Sequence, residues 1–417
     1  MSQLSLFARR AALAAAGVGV VLAGSVALAR AAEPVRIGVI APTSAIDGRS
    51  IMQGAEMAAD EINAAGGVDG RPIKLYKYDD HASAADGVRA FQRATKQNHA
   101  VAVIGNFTSE VALATEPWAA RLKEPYIVTG ASTTKINERI RNDYAHYKYV
   151  FRDTLNSVVV GKIVCGYAKD ILVKDLGYKT AAIMSENADW TKPLDKEYQK
   201  CLPKAGLKVV DHIRFDPNTN DFSPIFSRIE RAKPDVIITG IAHVGVKPTV
   251  QWHQNQIPMM FAGWSSQAGA SSFWKSTNGA AEDTITGNVA SGGAALTPKT
   301  IPFIKKYEKR FGESPAYNAY STYDALYILK NAIERAHSTK PDALVKALEK
   351  TDYVGVQGRE QFYARHARFA HGLRYGPGYL TGVAIQWQAG KQVVIWPKKA
   401  ANGQVQVPDF VKHAGNG

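Results

Sequence analysis

Two short hydroxyl-rich loops are the part of this sequence best suited to chemistry, and the chemistry they suit is the binding of an anion. One runs Gly105-Asn106-Phe107-Thr108-Ser109-Glu110, the other Thr129-Gly130-Ala131-Ser132-Thr133-Thr134. Each follows an apolar run that reads as a buried strand, Val101 to Ile104 and Tyr126 to Val128. In open parallel sheets the crevice beyond the carboxyl ends of the strands holds ligands, and helix N-termini there carry free amide hydrogens and a positive partial charge. A carboxylate placed there would accept hydrogen bonds from Ser109, Thr133 and neighbouring amides. Serine and threonine are also ordinary helix caps, so each loop alone has a structural reading; two at equivalent strand ends favour a ligand site.

Signatures of covalent chemistry do not occur. The chain has no Gly-x-Gly-x-x-Gly cluster after its first strand, no Walker loop, no Gly-x-Ser-x-Gly elbow and no His-Glu-x-x-His pair. Its ten histidines scatter; His99, His212, His337 and His371 suit surface positions, and His366 and His371 lie five apart, poor spacing for a metal on one helix. No metal or other cofactor is expected. Triads are assembled by geometry rather than by sequence order, so an exported enzyme acting on amides or amino acids stays as an alternative.

The elements that must position the loops alternate between strand and helix, the pattern of a parallel sheet covered on both faces. Strand Val35 to Ile40, helix Ser50 to Ala65, strand Ile73 to Tyr78, helix Ser83 to Lys96, the two loop-bearing strands with helix Val111 to Leu122, and strand Tyr149 to Arg152 make a first lobe. The alternation restarts with helix Ser157 to Leu176, strand Thr180 to Met184, helix Pro193 to Ala205, strand Lys208 to Ile213, helix Phe222 to Ala232 and strand Val236 to Thr239. Two such sets predict two similar lobes. Strand Ile285 to Val289, helices Ile301 to Phe311, Tyr317 to His337 and Asp342 to Glu349, and strands Thr381 to Gln388 and Gln392 to Trp396 follow, with residues 399–417 a polar tail.

The first 31 residues read as a signal peptide. Arg9 and Arg10 precede an apolar run from Ala11 to Ala29, with small residues that allow cleavage after Ala29 or Ala31. The arginine pair permits a twin-arginine route, and ordinary secretion stays open. The formal charge of +14 falls to +11 when Arg9, Arg10 and Arg30 leave, and the remaining basic residues are interspersed with acidic ones, which argues against a nucleic-acid surface. Cys165 and Cys201 are too few and too far apart for a structural zinc set. In an oxidising compartment the even pair favours a disulfide closing a loop of 36 residues, with two buried thiols as the alternative.

Over nearly the whole mature chain the sequence resembles the substrate-binding proteins of branched-chain amino acid ABC transporters, the Leu/Ile/Val-binding family. The resemblance is carried by Ile37 to Ser44, by the long block Gly54 to Ile73 containing Ala59-Asp60-Glu61-Ile62-Asn63-Ala64-Ala65-Gly66-Gly67, by Tyr78-Asp79-Asp80, by Phe222 to Ile225 and by Tyr323-Asp324-Ala325. It implies a type I periplasmic binding protein fold: two doubly wound α/β lobes joined by three hinge crossings, residues 34–153 with 289–373 in one and 154–288 with 374–398 in the other. It further implies a monomer that binds an amino acid or related carboxylate and delivers it to a membrane permease. Ser109 corresponds to a carboxylate-binding hydroxyl, Ala131, Ser132 and Thr133 to the second-loop group, and Trp190 to an aromatic contact from the second lobe. Where members carry a further tyrosine and an acid for the ligand amine, this chain has Ala242 and Ser265. Phe107 and Trp264 offer apolar contact, Asp189 and Glu186 are substitute acids, and His243 is a donor for a polar tail; Asp189 also suits a helix cap, Trp264 a core position and His243 a solvent-facing one. A ligand-sensing subunit of a signalling receptor is the other alternative function.

Overall fold

Apolar runs rich in valine and isoleucine build two parallel sheets in the computed structural model, which describes residues 33–414; the expected signal peptide lies outside the described residues. The first sheet contains β1 (Val35–Ala41), β2 (Ile73–Asp79), β3 (Ala102–Gly105), β4 (Tyr126–Val128) and β5 (Val150–Arg152), in the order β2-β1-β3-β4-β5. Parallel neighbours need crossover connections, supplied by α1 (Ile46–Ala64), α2 (Ala84–Gln92), α3 (Ser109–Leu122), α4 (Lys135–Asn142) and α5 (Tyr144–Tyr147). Because helices cover both faces, the inner strands are apolar throughout rather than alternating: Val103, Ile104, Ile127 and Val128 are all fully buried.

The second sheet repeats the plan with β6 (Thr180–Glu186), β7 (Lys208–Phe215), β8 (Val236–Ile241) and β9 (Met260–Ser265) in the order β7-β6-β8-β9, all parallel. Its helices are α6 (Ser157–Tyr167), which continues into a wider turn over Ala168–Val173, α7 (Thr191–Ala205), α8 (Ser223–Ala232) and α9 (Lys247–Gln254). Cys165 on α6 and Cys201 on α7 are bridged, with Cα atoms 6.0 Å apart. The bridge clamps two helices that already pack together.

Beyond α10 (Ser271–Ser276) the chain forms β10 (Ile285–Asn288), α11 (Thr300–Phe311), α12 (Tyr317–Ala336), α13 (Pro341–Leu348) and the short pair β11 (Tyr353–Val354) and β12 (Arg359–Glu360). It ends with β13 (Val383–Gln388), β14 (Lys391–Trp396) and α14 (Asp409–Ala414). The helix α12 lies along α1. Tyr323 and Tyr327 of α12 both donate to Glu61 of α1, which returns this part of the chain to the first sheet. Strands β10, β13 and β14 make an antiparallel sheet of their own. No helix among the described residues is long and apolar enough to cross a membrane.

Three departures from the sequence reading have physical causes. Helix α1 starts at Ile46 instead of Ser50, because its N-cap is Ala45, with no side-chain hydrogen bond to announce it. Helices α4 and α9 were not expected: α4 is short and charged, and α9 opens on Lys247-Pro248 after a run of turns. The C-terminal segment is not a free polar tail. Gln386 and Gln388 donate to the carbonyls of Gln406 and Gln404, and the Phe410 ring packs 5.2 Å from Trp252.

Candidate functional site

At the end of β3 the chain turns through Gly105, whose φ of 129° and close approach to the Ile40 carbonyl leave no room for a Cβ. Asn106 follows in the left-handed region and is fixed by donating to Asp80 at 2.8 Å and accepting from Tyr126. This geometry delivers Thr108 to the N-cap of α3 and Ser109 to its first turn. The second loop is braced against the first: Thr129 N–H donates to Gly105 O at 3.0 Å, Ala131 N–H to Asn106 O at 3.1 Å, and Thr133 N–H to Ser109 Oγ at 3.3 Å. From behind, Ser157 N–H and Oγ–H donate to the Ser132 carbonyl and buried Arg152 donates to that of Thr133 at 2.9 Å. Tyr317, at the start of α12, donates to Gly130 O at 2.7 Å. Both loops therefore form one rigid, cross-linked platform.

The opposite wall hangs on a single carboxylate. Glu186, fully buried at the carboxyl end of β6, accepts the Trp190 indole N–H at 2.7 Å and backbone amides of Ala242 at 3.0 Å, His243 at 2.9 Å and Val244 at 3.3 Å. His243 Nδ1 lies 3.1 Å from its other oxygen. One side chain thus orders the loop after β8 and aims the Trp190 ring.

Between the walls lies a narrow cavity lined by Phe107, Ser109, Gly130 and Ser132 on one side, Trp190, Ala242, His243 and Trp264 on the other, with Ser266 and Tyr317. The space between these groups is tight, with a cavity volume of about 10 Å³. The walls meet through edge-to-face contacts, Phe107 with His243 at 5.5 Å and Trp264 with Tyr317 at 6.2 Å. Among the described residues no group of three or more His, Cys, Asp or Glu could hold a metal ion.

Of the residues singled out from sequence, Phe107, Ser109, Ser132, Trp190, His243 and Trp264 line this cavity together. Ala131 and Thr133 are buried beside it: Thr133 Oγ accepts from Lys135 N–H, and its side chain borders a separate basic groove with Lys135, Lys192 and Arg368. Asp189 sits at the rim, where its carboxylate pairs with Lys135 and Lys192 at 2.9 and 3.0 Å and its N–H donates to Glu110. Those cations, with the bonds they donate, hold its carboxyl below the usual range against its partial burial.

Sequence reasoning missed Asp47. It lies in the first turn of α1, fully buried, and accepts from the cavity-lining Ser266 Oγ at 2.9 Å, while its Oδ1 has no hydrogen-bond partner among the described residues. Burial pushes its carboxyl up to about 7; the bond from Ser266 opposes that rise and the charge of Glu186 adds to it. The available signal was an acidic residue just past the carboxyl end of β1, obscured by starting the helix at Ser50.

The family model described as periplasmic binding protein matches residues 34–376. The Leu/Ile/Val-binding protein homolog 7 of Brucella suis is 26% identical over 412 residues, spanning 95% of this chain and 99% of that protein. Among solved structures, the substrate-binding protein of a branched-chain amino acid transporter from Streptococcus pneumoniae, in complex with isoleucine, superimposes with a TM-score of 0.74 at 22% identity, covering 86% of this chain and 98% of the other. A solute-binding protein of an ABC transporter from Rhodopseudomonas palustris, in complex with 3,4-dihydroxybenzoic acid, gives 0.72 at 20% identity over 86% and 95%.

Proposed function

The chain belongs to the periplasmic binding protein family, and from that premise we propose that it receives a small carboxylate in the cleft between its lobes, Ser109 and Ser132 of the first lobe holding the carboxylate. It is a periplasmic solute-binding protein of an ABC-type importer, a class that binds without covalent chemistry. The observation that carries the ligand class is the braced pair of loops at the ends of β3 and β4. Ser109 Oγ sits in the first turn of α3, where its hydroxyl, the unpaired amides and the helix dipole all favour a negative charge. The two solved relatives bind ligands as different as isoleucine and a dihydroxybenzoic acid, and a carboxylate is what those share.

The tail of the ligand lies against Trp190, Phe107 and Trp264, and its identity separates an amino acid from an aromatic acid. The lobes are residues 34–153 with 289–373 and 154–288 with 374–398, crossing near 153, 288 and 373. The grouping of β1 to β5 in one sheet and β6 to β9 in the other, with α12 packed on α1, supports that division. A ligand that touches both walls only when they meet stabilises the closed arrangement, a population shift, and the closed monomer then hands the ligand to a membrane permease. Native mass spectrometry of protein purified without denaturation tests the ligand class: a retained small carboxylate is expected, and a retained ligand lacking any anionic group would refute it.

A further inference from the structure

A second groove opens beside the cleft, with a cavity volume of about 430 Å³, and its lining is basic: Lys135 at the start of α4 and Arg368 border it together with Lys192, Lys196 and Lys200 of α7. In sequence that helix looks balanced, because Asp195 and Glu197 stand among the lysines. The fold separates them. Asp195 is buried, accepting from Arg214 and lying 3.1 Å from His212, and Glu197, though it borders the groove, is buried over Gly161 of α6. The three lysines, spaced four residues apart, are left as an exposed row along one face. Like charges at that spacing repel, and Lys192 also sits in the first turn, at the positive end of the helix dipole. The acids at the rim do not cancel the row: Asp189 is shared by Lys135 and Lys192, and Glu138 accepts from Thr134. Among the described residues Lys196, Lys200 and Arg368 have no ion-pair partner; the Arg368 guanidinium lies over the Phe369 ring.

We infer that this groove docks an acidic, extended protein segment carried by the membrane permease. The inference deepens, and rests on, the reading of the protein as a receptor that closes on its ligand and then meets a permease. Lys135 and Arg368 belong to the first lobe and α7 to the second, and they are tied at the rim by the Lys135–Asp189 pair at 2.9 Å and the bond from Asp189 N–H to Glu110 at 2.7 Å. The surface is whole only when the lobes meet, so a partner that recognises it distinguishes the closed receptor from the open one. A slot between α4 and α7 admits an extended chain, whereas a flat bilayer meets only its edges. Exposed ammonium groups on flexible stems give such a contact a fast, salt-sensitive encounter.

The test is fluorescence anisotropy of a labelled polyglutamate peptide against the unmodified protein, Lys196→Glu with Lys200→Glu, Arg368→Glu, and a control, Lys305→Glu with Lys309→Glu, which makes the same change in charge on two exposed lysines of α11. The peptide should bind at low salt and weaken about 10-fold or more in the Lys196 and Lys200 variant, about 3-fold or more in Arg368→Glu, and less than about 2-fold in the control. An unchanged melting temperature shows that the variants are folded. No binding of the peptide, an equal loss in the control, or no loss in Arg368→Glu overturns the inference. So does adsorption to phosphatidylglycerol vesicles that is tighter than binding of the peptide and is lost in the Lys196 and Lys200 variant, which makes the row a lipid contact. The cleft is scored apart: a retained ligand without an anionic group on native mass spectrometry refutes the carboxylate reading and leaves this surface standing, and failure of the peptide to bind leaves the carboxylate reading untouched.

Discussion

The two walls of the cleft are built on opposite principles. The first-lobe wall is a mesh, in which Thr129, Ala131 and Thr133 donate to Gly105, Asn106 and Ser109, and Arg152 and Ser157 brace it from behind. The second-lobe wall depends on Glu186, whose two oxygens gather the Trp190 indole and three successive amides from a loop more than fifty residues later. A mesh tolerates the loss of one bond and keeps its shape, so its hydroxyls can be specialised for the ligand. A hub does not tolerate losing its centre. Removing Glu186 should therefore be felt more strongly than removing any single hydroxyl across the cleft.

The largest expected effect is that of Glu186→Ala. It strands several buried donors at once, each costing about 1–3 kcal/mol, so urea unfolding should show a loss of roughly 3 kcal/mol or more together with loss of ligand binding. A loss below about 1 kcal/mol would break the contrast between mesh and hub. Trp190→Ala separates the tail from the hub, because it leaves the amide contacts of Glu186 intact. Affinity for a ligand with an apolar or aromatic tail should fall by about 1.5–3 kcal/mol, and that for acetate should barely change.

A third region sharpens the comparison, because two of its three acids have no N–H or hydroxyl donor to gather. Asp153, Asp324 and Glu360 are all fully buried; Asp324 accepts from Val356 N–H, but among the described residues no N–H or hydroxyl reaches the oxygens of Asp153 and Glu360. Burial pushes Asp324 up to about 6, and burial with the charges of its neighbours raises Asp153 and Glu360 well above the carboxyl range. The folded state thus holds protons that the unfolded chain releases near pH 4. Their stabilising contribution is complete below that pH and is lost as pH rises through 6 and beyond; Asp47 and Glu116, each pushed up to about 7, act in the same sense. Stability should fall between pH 5 and pH 8 by on the order of 2 kcal/mol, and Asp153→Asn should lessen the fall. A melting temperature flat across that range would contradict this account.

Periodicity made the two-lobed plan legible, since buried parallel strands such as Val101 to Ile104 and Val236 to Thr239 are short apolar runs between helical patterns. The first-lobe loops were legible for the same reason: they are local, and Ser109 lies within a few residues of the strand that presents it. What was hidden is non-local. The three amides that Glu186 gathers lie in the loop after β8, so its neighbours in sequence do not reveal that it is a hub and not a free counter-charge. Asp189 looked equally available, and only the packing of α4 brings Lys135 to it. Asp47 was concealed by a helix that begins without a capping side chain, and Phe410 by a polar segment whose one aromatic finds Trp252.

The account rests on a carboxylate held by the first lobe, and calorimetry of Ser109→Ala and Thr133→Ala tests it most directly, with an acid and its neutral isosteric amide as ligands. Ser109 lines the cavity, whereas the Thr133 hydroxyl accepts from Lys135 N–H. Ser109→Ala should therefore weaken the acid by about 1–3 kcal/mol, with a smaller loss for Thr133→Ala and little change for the amide in either variant. If the acid binds no better than its amide, and Ser109→Ala leaves both affinities unchanged, the first-lobe loops do not hold a carboxylate.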